Sequence, residues 1–321
     1  MNYQINNDGK KVIDLQIKAL KKLKNSLDNS FSAAVREINK CKSKVIVCGV
    51  GKSGKIASKI SATLSSIGVP SFSVSASDCS HGDLGSISQK DILILISQSG
   101  NTEELNNIIK FAKLNKILLI GIVSNKNSYL YRASKIKLLL PEVEESGYGI
   151  VPTSSTIVQL SLGDALSIAL MKLKNFGKLD FKKFHPGGSL AKKLKIASEL
   201  MLTKNKIPFI NENKLVKEAL KIIQQKKLGF VVVVDNYGIN KGIFTDGDLK
   251  RSLNKKKSLI NLKVKTVMTK KPYAVEESTL GSDILNQMNK RKITSVCVYS
   301  KKDRNKTIGV IHIHHLVKFL K

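Results

Sequence analysis

Residues able to do chemistry gather in a few short polar loops of the chain. Ser97-Gln98-Ser99-Gly100-Asn101-Thr102 places five hydroxyl or amide side chains within six residues. They lie between an apolar run at 91–96 and a helical pattern at 105–112. Such a loop at a helix N-terminus can wrap a phosphate with neutral donors, since free N–H groups and the helix dipole favour an anion there. A plain N-cap would need only one of these side chains. Pro152-Thr153-Ser154-Ser155-Thr156 repeats the pattern at a later helix start. Gly49-Val50-Gly51-Lys52-Ser53-Gly54 adds a glycine-lined turn with a lysine and a serine. This turn fits GxGxxG in form, but the dinucleotide reading needs an acid at the end of the next strand to hold a ribose. That strand is rich in serine, and Asp78 arrives late. The Walker pattern fails as well, because its first glycine falls at Ile46. Three anion-receiving loops at the carboxyl ends of strands point to one crevice.

The elements that hold these loops follow from periodicity. Short apolar runs at 44–50, 71–74, 91–97, 117–123 and 136–140 alternate with helical stretches. That alternation predicts an α/β fold, an open parallel five-stranded sheet with helices on both faces. Ahead of it, Ile13, Ile17, Leu20, Leu23, Leu27 and Phe31 keep a helical period, read as a single helix over 10–40. A long helix from 154 to about 174 closes this half. Beyond a glycine- and lysine-rich junction the chain repeats itself: Met201, Leu215, Gly242 and Leu249 reappear as Met268, Leu280, Gly309 and Leu316. Two copies of one unit predict a pseudo-twofold pair rather than a solenoid. The expected domains are 1–190, 191–258 and 259–321.

Composition narrows the function classes. Fifty-five basic against 24 acidic residues give a net charge of +31, yet only five are arginines: Arg36, Arg132, Arg251, Arg291 and Arg304. Nucleic-acid readers rely on arginine for bidentate contacts, and here lysines are scattered with no aromatic interleaving, so no nucleic-acid partner is expected. Apolar runs fall short of the roughly 20 residues that cross a bilayer, and the polar start carries no signal core. A soluble, cytoplasmic protein with no membrane partner is expected. Cys41, Cys48, Cys79 and Cys297 lack zinc or paired spacing and read as idle or buried thiols.

Taken in order, Gly51-Lys52-Ser53-Gly54, His81-Gly82-Asp83-Leu84-Gly85, the 97–102 loop, the 152–156 loop and His185-Pro186-Gly187-Gly188 resemble the arabinose-5-phosphate isomerase family. That family joins a sugar-isomerase (SIS) domain to a tandem cystathionine-β-synthase (CBS) pair, and the likeness spans essentially the whole chain. It implies interconversion of D-ribulose 5-phosphate and D-arabinose 5-phosphate, which supplies Kdo for lipopolysaccharide. It also implies a homotetramer and no cofactor. By motif position it implies Lys52, Glu104, Glu144 and His185 as catalytic residues. An aldose–ketose isomerase needs a base to move a carbon-bound proton and a group to steady an enediolate oxygen. Glu104 is the expected base and Lys52 the oxyanion partner. His185 is expected to assist ring opening or oxygen-to-oxygen proton movement, and Glu144 to orient hydroxyls or share the acid–base work. Gly51, Ser53, His81, Ser97, Gln98, Ser99, Thr102, Thr153, Ser154 and Ser155 are the expected substrate or phosphate contacts. No metal is required, although His81 could serve as an adventitious ligand. The family commonly has Glu-Thr where this chain has Asn101-Thr102, and choosing Glu144 among Glu142, Glu144 and Glu145 rests on counting back from Pro152.

In the CBS-like half, Thr245-Asp246-Gly247-Asp248 matches a nucleotide-holding turn, with Thr245 and Asp248 as candidate contacts for a regulatory nucleotide. The second copy has His312-Ile313-His314-His315, with His315 where the acid is expected. A packing role for the pair is the alternative. Rival functions are a non-catalytic sugar-phosphate-sensing regulator and an isomerase of another phosphosugar.

Overall fold

The computed structural model describes residues 2–187, 194–253 and 259–320. Gly188 of the last motif and the expected boundary at 190/191 lie outside the described residues, as does residue 258 of the second boundary. The chain forms two compact units that divide between Phe184 and His185.

The first unit opens with α1 (Asn2–Ser26) and α2 (Asn29–Lys40). The single helix expected over 10–40 is therefore two, because Asp28 turns extended and its carboxylate accepts the Ser30 N–H at 2.8 Å, capping a new helix. There follow β1 (Val45–Gly49), α3 (Lys52–Ser66), β2 (Ser71–Ser75), α4 (Ala76–Cys79), β3 (Ile92–Ile96), α5 (Asn106–Leu114), β4 (Leu118–Val123), α6 (Tyr129–Ala133), β5 (Ile136–Leu139), α7 (Ser154–Leu173) and α8 (Lys178–Phe184). The sheet is parallel throughout, in the order β2-β1-β3-β4-β5. Every residue of β1 and β3 is buried, as expected of central strands covered on both faces.

Side chains alternate between the faces. Val45, Val47, Ile92, Ile94, Ile120 and Ile122 pack with α1, α2, α3 and α7. Ile46, Cys48, Leu93, Leu95 and Leu119 pack with α5 and α6. Helix α7 is long and apolar enough by length and composition to cross a bilayer, which the apolar runs alone did not show. Here it is a core helix, with Val158, Leu162, Leu166 and Leu170 all buried. Its Gly163 lets α3 come close, since a Cβ there would stand 2.3 Å from the Ile60 side chain.

The amino ends of β1 and β3, opposite the loops, are tied by Asp91, 2% exposed. Its carboxylate accepts Ser43 Oγ–H at 2.6 Å and Ser88 N–H at 2.7 Å, and pairs with Lys44 Nζ at 2.9 Å. Burial alone would raise its pKa, but these donors outweigh it and hold the carboxyl at about 2. Cys48, Cys79 and Cys297 are buried free thiols, and burial pushes Cys48 up to about 12 and Cys297 to about 11.

The second unit holds the repeat. β6 (Phe209–Asn211), β7 (Phe230–Val234), β8 (Asn240–Thr245) and β9 (Thr269–Lys270) form one sheet. β10 (Ala274–Glu276), β11 (Ser295–Ser300) and β12 (Asp303–His312) form the other. The lead-in of each copy packs on the other copy. β9, at the head of the second copy, pairs with β8 of the first, with Gly242 opposite Lys270. Leu202, at the head of the first, bridges Val310 in β12 of the second. The matched Met/Gly pairs show why glycine is needed. A Cβ on Gly242 would lie 2.8 Å from Met268 Sδ, and one on Gly309 would lie 2.2 Å from Met201 Sδ. Leu259 and Val264, which the expected division at 258/259 assigns to the second copy, pack in the first copy's core.

Candidate active site

Strand order reverses between β1 and β3, whose outward connections run to opposite sides, so a crevice must open at their carboxyl ends. Gly51, Lys52 and Ser53 leave β1 at this end. Gly51 takes φ +58° as the N-cap of α3, and Gly49 and Gly54 touch backbone to backbone. A Cβ on Gly54 would stand 2.8 Å from the Gly49 carbonyl oxygen, so only glycine permits this tight strand-to-helix turn.

Residues 97–102 leave β3 beside it. Ser97 is buried; its Oγ accepts the Gly100 N–H at 2.9 Å and lies 2.7 Å from Thr102 Oγ1. These two hydroxyls hold the loop closed on itself. Gly100, with φ +68°, packs where a Cβ would meet Ser128. Ser99 is exposed and accepts the Asn101 N–H at 3.3 Å, which leaves its own hydrogen to donate. Asn101 accepts the Tyr129 N–H at 2.9 Å, so this departure from the family's glutamate serves to anchor α6. The helix expected straight after the loop begins instead with a 3-10 turn, Glu103–Leu105, that carries Glu103 and Glu104 exposed.

The third loop brings a carboxylate that sequence reasoning passed over. Glu145 accepts the N–H groups of Thr153 at 2.7 Å, Ser154 at 2.8 Å and Ser155 at 3.2 Å. Thr153 Oγ1 adds a fourth bond at 3.2 Å. Burial would raise the Glu145 pKa, but the bonds from Ser155, Thr153 and Ser154 prevail and hold it below the usual glutamate value. The α7 N-terminus thus already carries an internal anion, engaging the very amides expected to meet phosphate. Glu144 beside it is exposed. The spacing of a carboxylate eight to ten residues before a helix's first amides has no sequence signature, which is why the acidic trio looked interchangeable.

Gln159 was missed too. It sits on α7, 1% exposed, accepts Ser53 Oγ–H at 3.1 Å and donates to Gln98 Oε1 at 3.2 Å. It therefore joins the first loop to the second. The Gln98 backbone is held independently, its carbonyl accepting Ser124 Oγ–H at 2.7 Å and Ser124 N–H at 3.1 Å. Beside the glycine turn lies a cavity of about 720 Å³ lined by Gly49, Gly51, Lys55, Ser75, Asp78 and Asp83. Lys52 and His81 are exposed, Lys52 at the start of α3 and His81 just after α4. His185 is the first residue of the second unit. Among the described residues no group of three or more His, Cys, Asp or Glu could hold a metal ion.

These loops sit in a chain whose residues 37–169 match the SIS domain and whose residues 197–255 and 264–321 match the CBS domain. An arabinose 5-phosphate isomerase KdsD of Yersinia pestis is 39% identical, over 97% of this chain and 94% of its own. The KdsD of Francisella tularensis is 38% identical, over 97% and 96%. The chain belongs to the arabinose 5-phosphate isomerase family. An Escherichia coli CFT073 protein solved in complex with arabinose 5-phosphate is 34% identical and superposes with a TM-score of 0.56, over 58% of this chain and 100% of its own.

The family's CBS half has its own cleft here, about 490 Å³, lined by Thr245, Asp248, Arg251, Lys292 and His312 among others. Asp248, 4% exposed, is fully engaged. Oδ2 accepts from Thr245 N at 2.9 Å and Thr245 Oγ1 at 2.8 Å, and Oδ1 from Arg251 at 2.6 Å and Thr269 Oγ1 at 2.7 Å. His312 stands at the position of Thr245 in the second copy and lines the cleft.

Proposed function

We propose that this protein interconverts D-ribulose 5-phosphate and D-arabinose 5-phosphate in the cytoplasm, as a homotetramer, feeding the supply of Kdo. The observation that carries this reading is the side-by-side placement of two substrate loops at the β1/β3 reversal, tied by Gln159, within a chain of this family. In the mechanism, Ser99 and Gln98 grip the phosphate, assisted by the 97–102 backbone. The Glu104 carboxylate takes the C1 proton of the ketose; the C–H pair becomes the C1–C2 double bond and the carbonyl oxygen at C2 gains a proton. Return of the proton from Glu104 to C2, with O1 giving up its hydrogen as the aldehyde forms, completes the aldose. Lys52 steadies the enediolate oxygen, which an ammonium does best while charge develops. His185 moves protons between oxygens and assists opening of the furanose, and Glu144 and His81 contact the sugar hydroxyls. Thr153, Ser154 and Ser155 act through Glu145, holding the third loop at the crevice rim. The CBS cleft takes a regulatory nucleotide through its basic side chains.

The test is direct. Purified protein incubated with ribulose 5-phosphate should give arabinose 5-phosphate by NMR, and in D₂O the product should carry deuterium at C2. Glu104→Gln should lower kcat at least about 10²-fold, the lower range for a lost general base, while inorganic phosphate still binds. Retained turnover in that variant removes Glu104 as the base.

A further inference from the structure

Gln159 does more than join two loops, because an amide has a direction. Its Oε1 receives the Ser53 hydroxyl hydrogen, and its Nε2 donates a hydrogen to Gln98 Oε1. The chain of bonds therefore runs one way, from Ser53 through Gln159 to Gln98. A hydroxyl has one hydrogen to give, and a primary amide has two donors and one acceptor oxygen. With its carbonyl oxygen already bonded to Gln159, the Gln98 side chain offers hydrogens to a ligand; no acceptor among the described residues takes them. Ser53, having given its hydrogen to Gln159, offers lone pairs. Gln159 is itself buried on α7, a helix whose Val158 and Leu162 are core residues.

We infer that Gln159 is a positioning residue that fixes the polarity of the crevice: Gln98 becomes the donor to the phosphate oxygens, and Ser53 the acceptor for a substrate hydroxyl. This inference rests on the phosphosugar reading, and it moves Ser53 from the phosphate end of the site to the sugar end. An anion at the second loop stabilises this direction of the chain, since an amide turned the other way would point its oxygen at the phosphate. Breaking the link at Gln159 frees Gln98 to turn and costs phosphate affinity, although Gln159 itself touches no ligand.

The experiment uses the full-length protein and inorganic phosphate, titrated by calorimetry, beside steady-state kinetics with ribulose 5-phosphate. Gln159→Met keeps the length and burial of the side chain and removes its polarity. It should weaken phosphate about tenfold or more, the lower end of the scale of one hydrogen bond to a charged group, and raise KM by a similar factor with much less change in kcat. Should that variant lose its cooperative melt, Gln159→Asn, which withdraws the amide by one methylene, carries the same expectation. Ser53→Ala removes both the acceptor for the sugar and the hydrogen given to Gln159 Oε1, but keeps the Gln159 Nε2 bond that holds Gln98. It should therefore raise KM for the sugar and weaken phosphate clearly less than Gln159→Met does. Wild-type phosphate affinity in a folded Gln159 variant overturns the inference. So does a loss of phosphate affinity in Ser53→Ala as large as that in Gln159→Met. If the variants show this phosphate pattern while the wild-type protein does not turn over ribulose 5-phosphate, the isomerase reading is refuted and the polarity of the crevice is supported. A wild-type protein that binds no phosphate overturns both.

Discussion

Replacing Asp91 by Asn tests whether the sheet is tied at the amino ends of its central strands, away from its loops. The carboxyl falls from 3.8 to about 2 in the folded chain, a difference of about 1.8 pH units, or about 2.4 kcal/mol at 1.36 kcal/mol per unit. Because the folded value is the lower one, this stabilisation is fully present above the unfolded pKa of 3.8 and is lost as pH falls through about 2. Asn cannot pair with Lys44, and its NH₂ group faces a Ser88 N–H that also donates. For a unit of this size the variant should melt about 5–10 °C lower at pH 7, from roughly 2–4 °C per kcal/mol. The pH-dependent part of the gap should shrink by about half near pH 3 and nearly vanish by pH 2. Thermal melts of both proteins across pH 2–7, followed by circular dichroism, measure it. A gap under about 0.5 kcal/mol at neutral pH, or one that stays constant on acidification, would refute the assignment of a depressed, ion-paired carboxyl.

Glu145→Ala removes the carboxylate from three amides of α7 and should cost about 1–2 kcal/mol, the range of a lost helix cap. Its folded pKa is also depressed, so the penalty should be complete above the unfolded glutamate value and fade in acid, which paired melts at pH 7 and pH 3 would show. Gly54→Ala drives a methyl into the Gly49 carbonyl and should force the first loop open. The expected loss is about 1–3 kcal/mol together with weaker phosphate binding by calorimetry, and wild-type behaviour would show the turn has slack.

Where periodicity carried information, the sequence was readable. The all-apolar β1 and β3, buried on both faces, and the long helix starting at Ser154 stand where the pattern puts them. The break between Ser26 and Asn29 was not visible, because the apolar spacing runs through it, and a lone Asp28 decides it by bonding its own backbone. The polar loops were found by composition, and the 97–102 loop does stand beside the glycine turn. Their internal division of labour was hidden: Ser97 and Thr102 bond each other, and Asn101 holds Tyr129. Glu145 and Gln159 escaped for one shared reason. Each acts on residues distant in the chain, Gln159 on Ser53 and Gln98, and tertiary pairing of a polar group leaves no local period. In the repeat, the recurrence of Met and Gly was legible, but the partner of each Met was not.

That last point bears on how the CBS half arose and how it comes apart. Met201 covers Gly309 and Met268 covers Gly242, so each copy finishes its neighbour and neither encloses its own interior. An ancestor with a single copy would have been complete only as a symmetric pair of chains trading their leading arms, as swapped dimers do. Fusing the two made the trade internal, at a high effective concentration. The price of that interlock is that neither half can be pruned, transplanted or lost by itself.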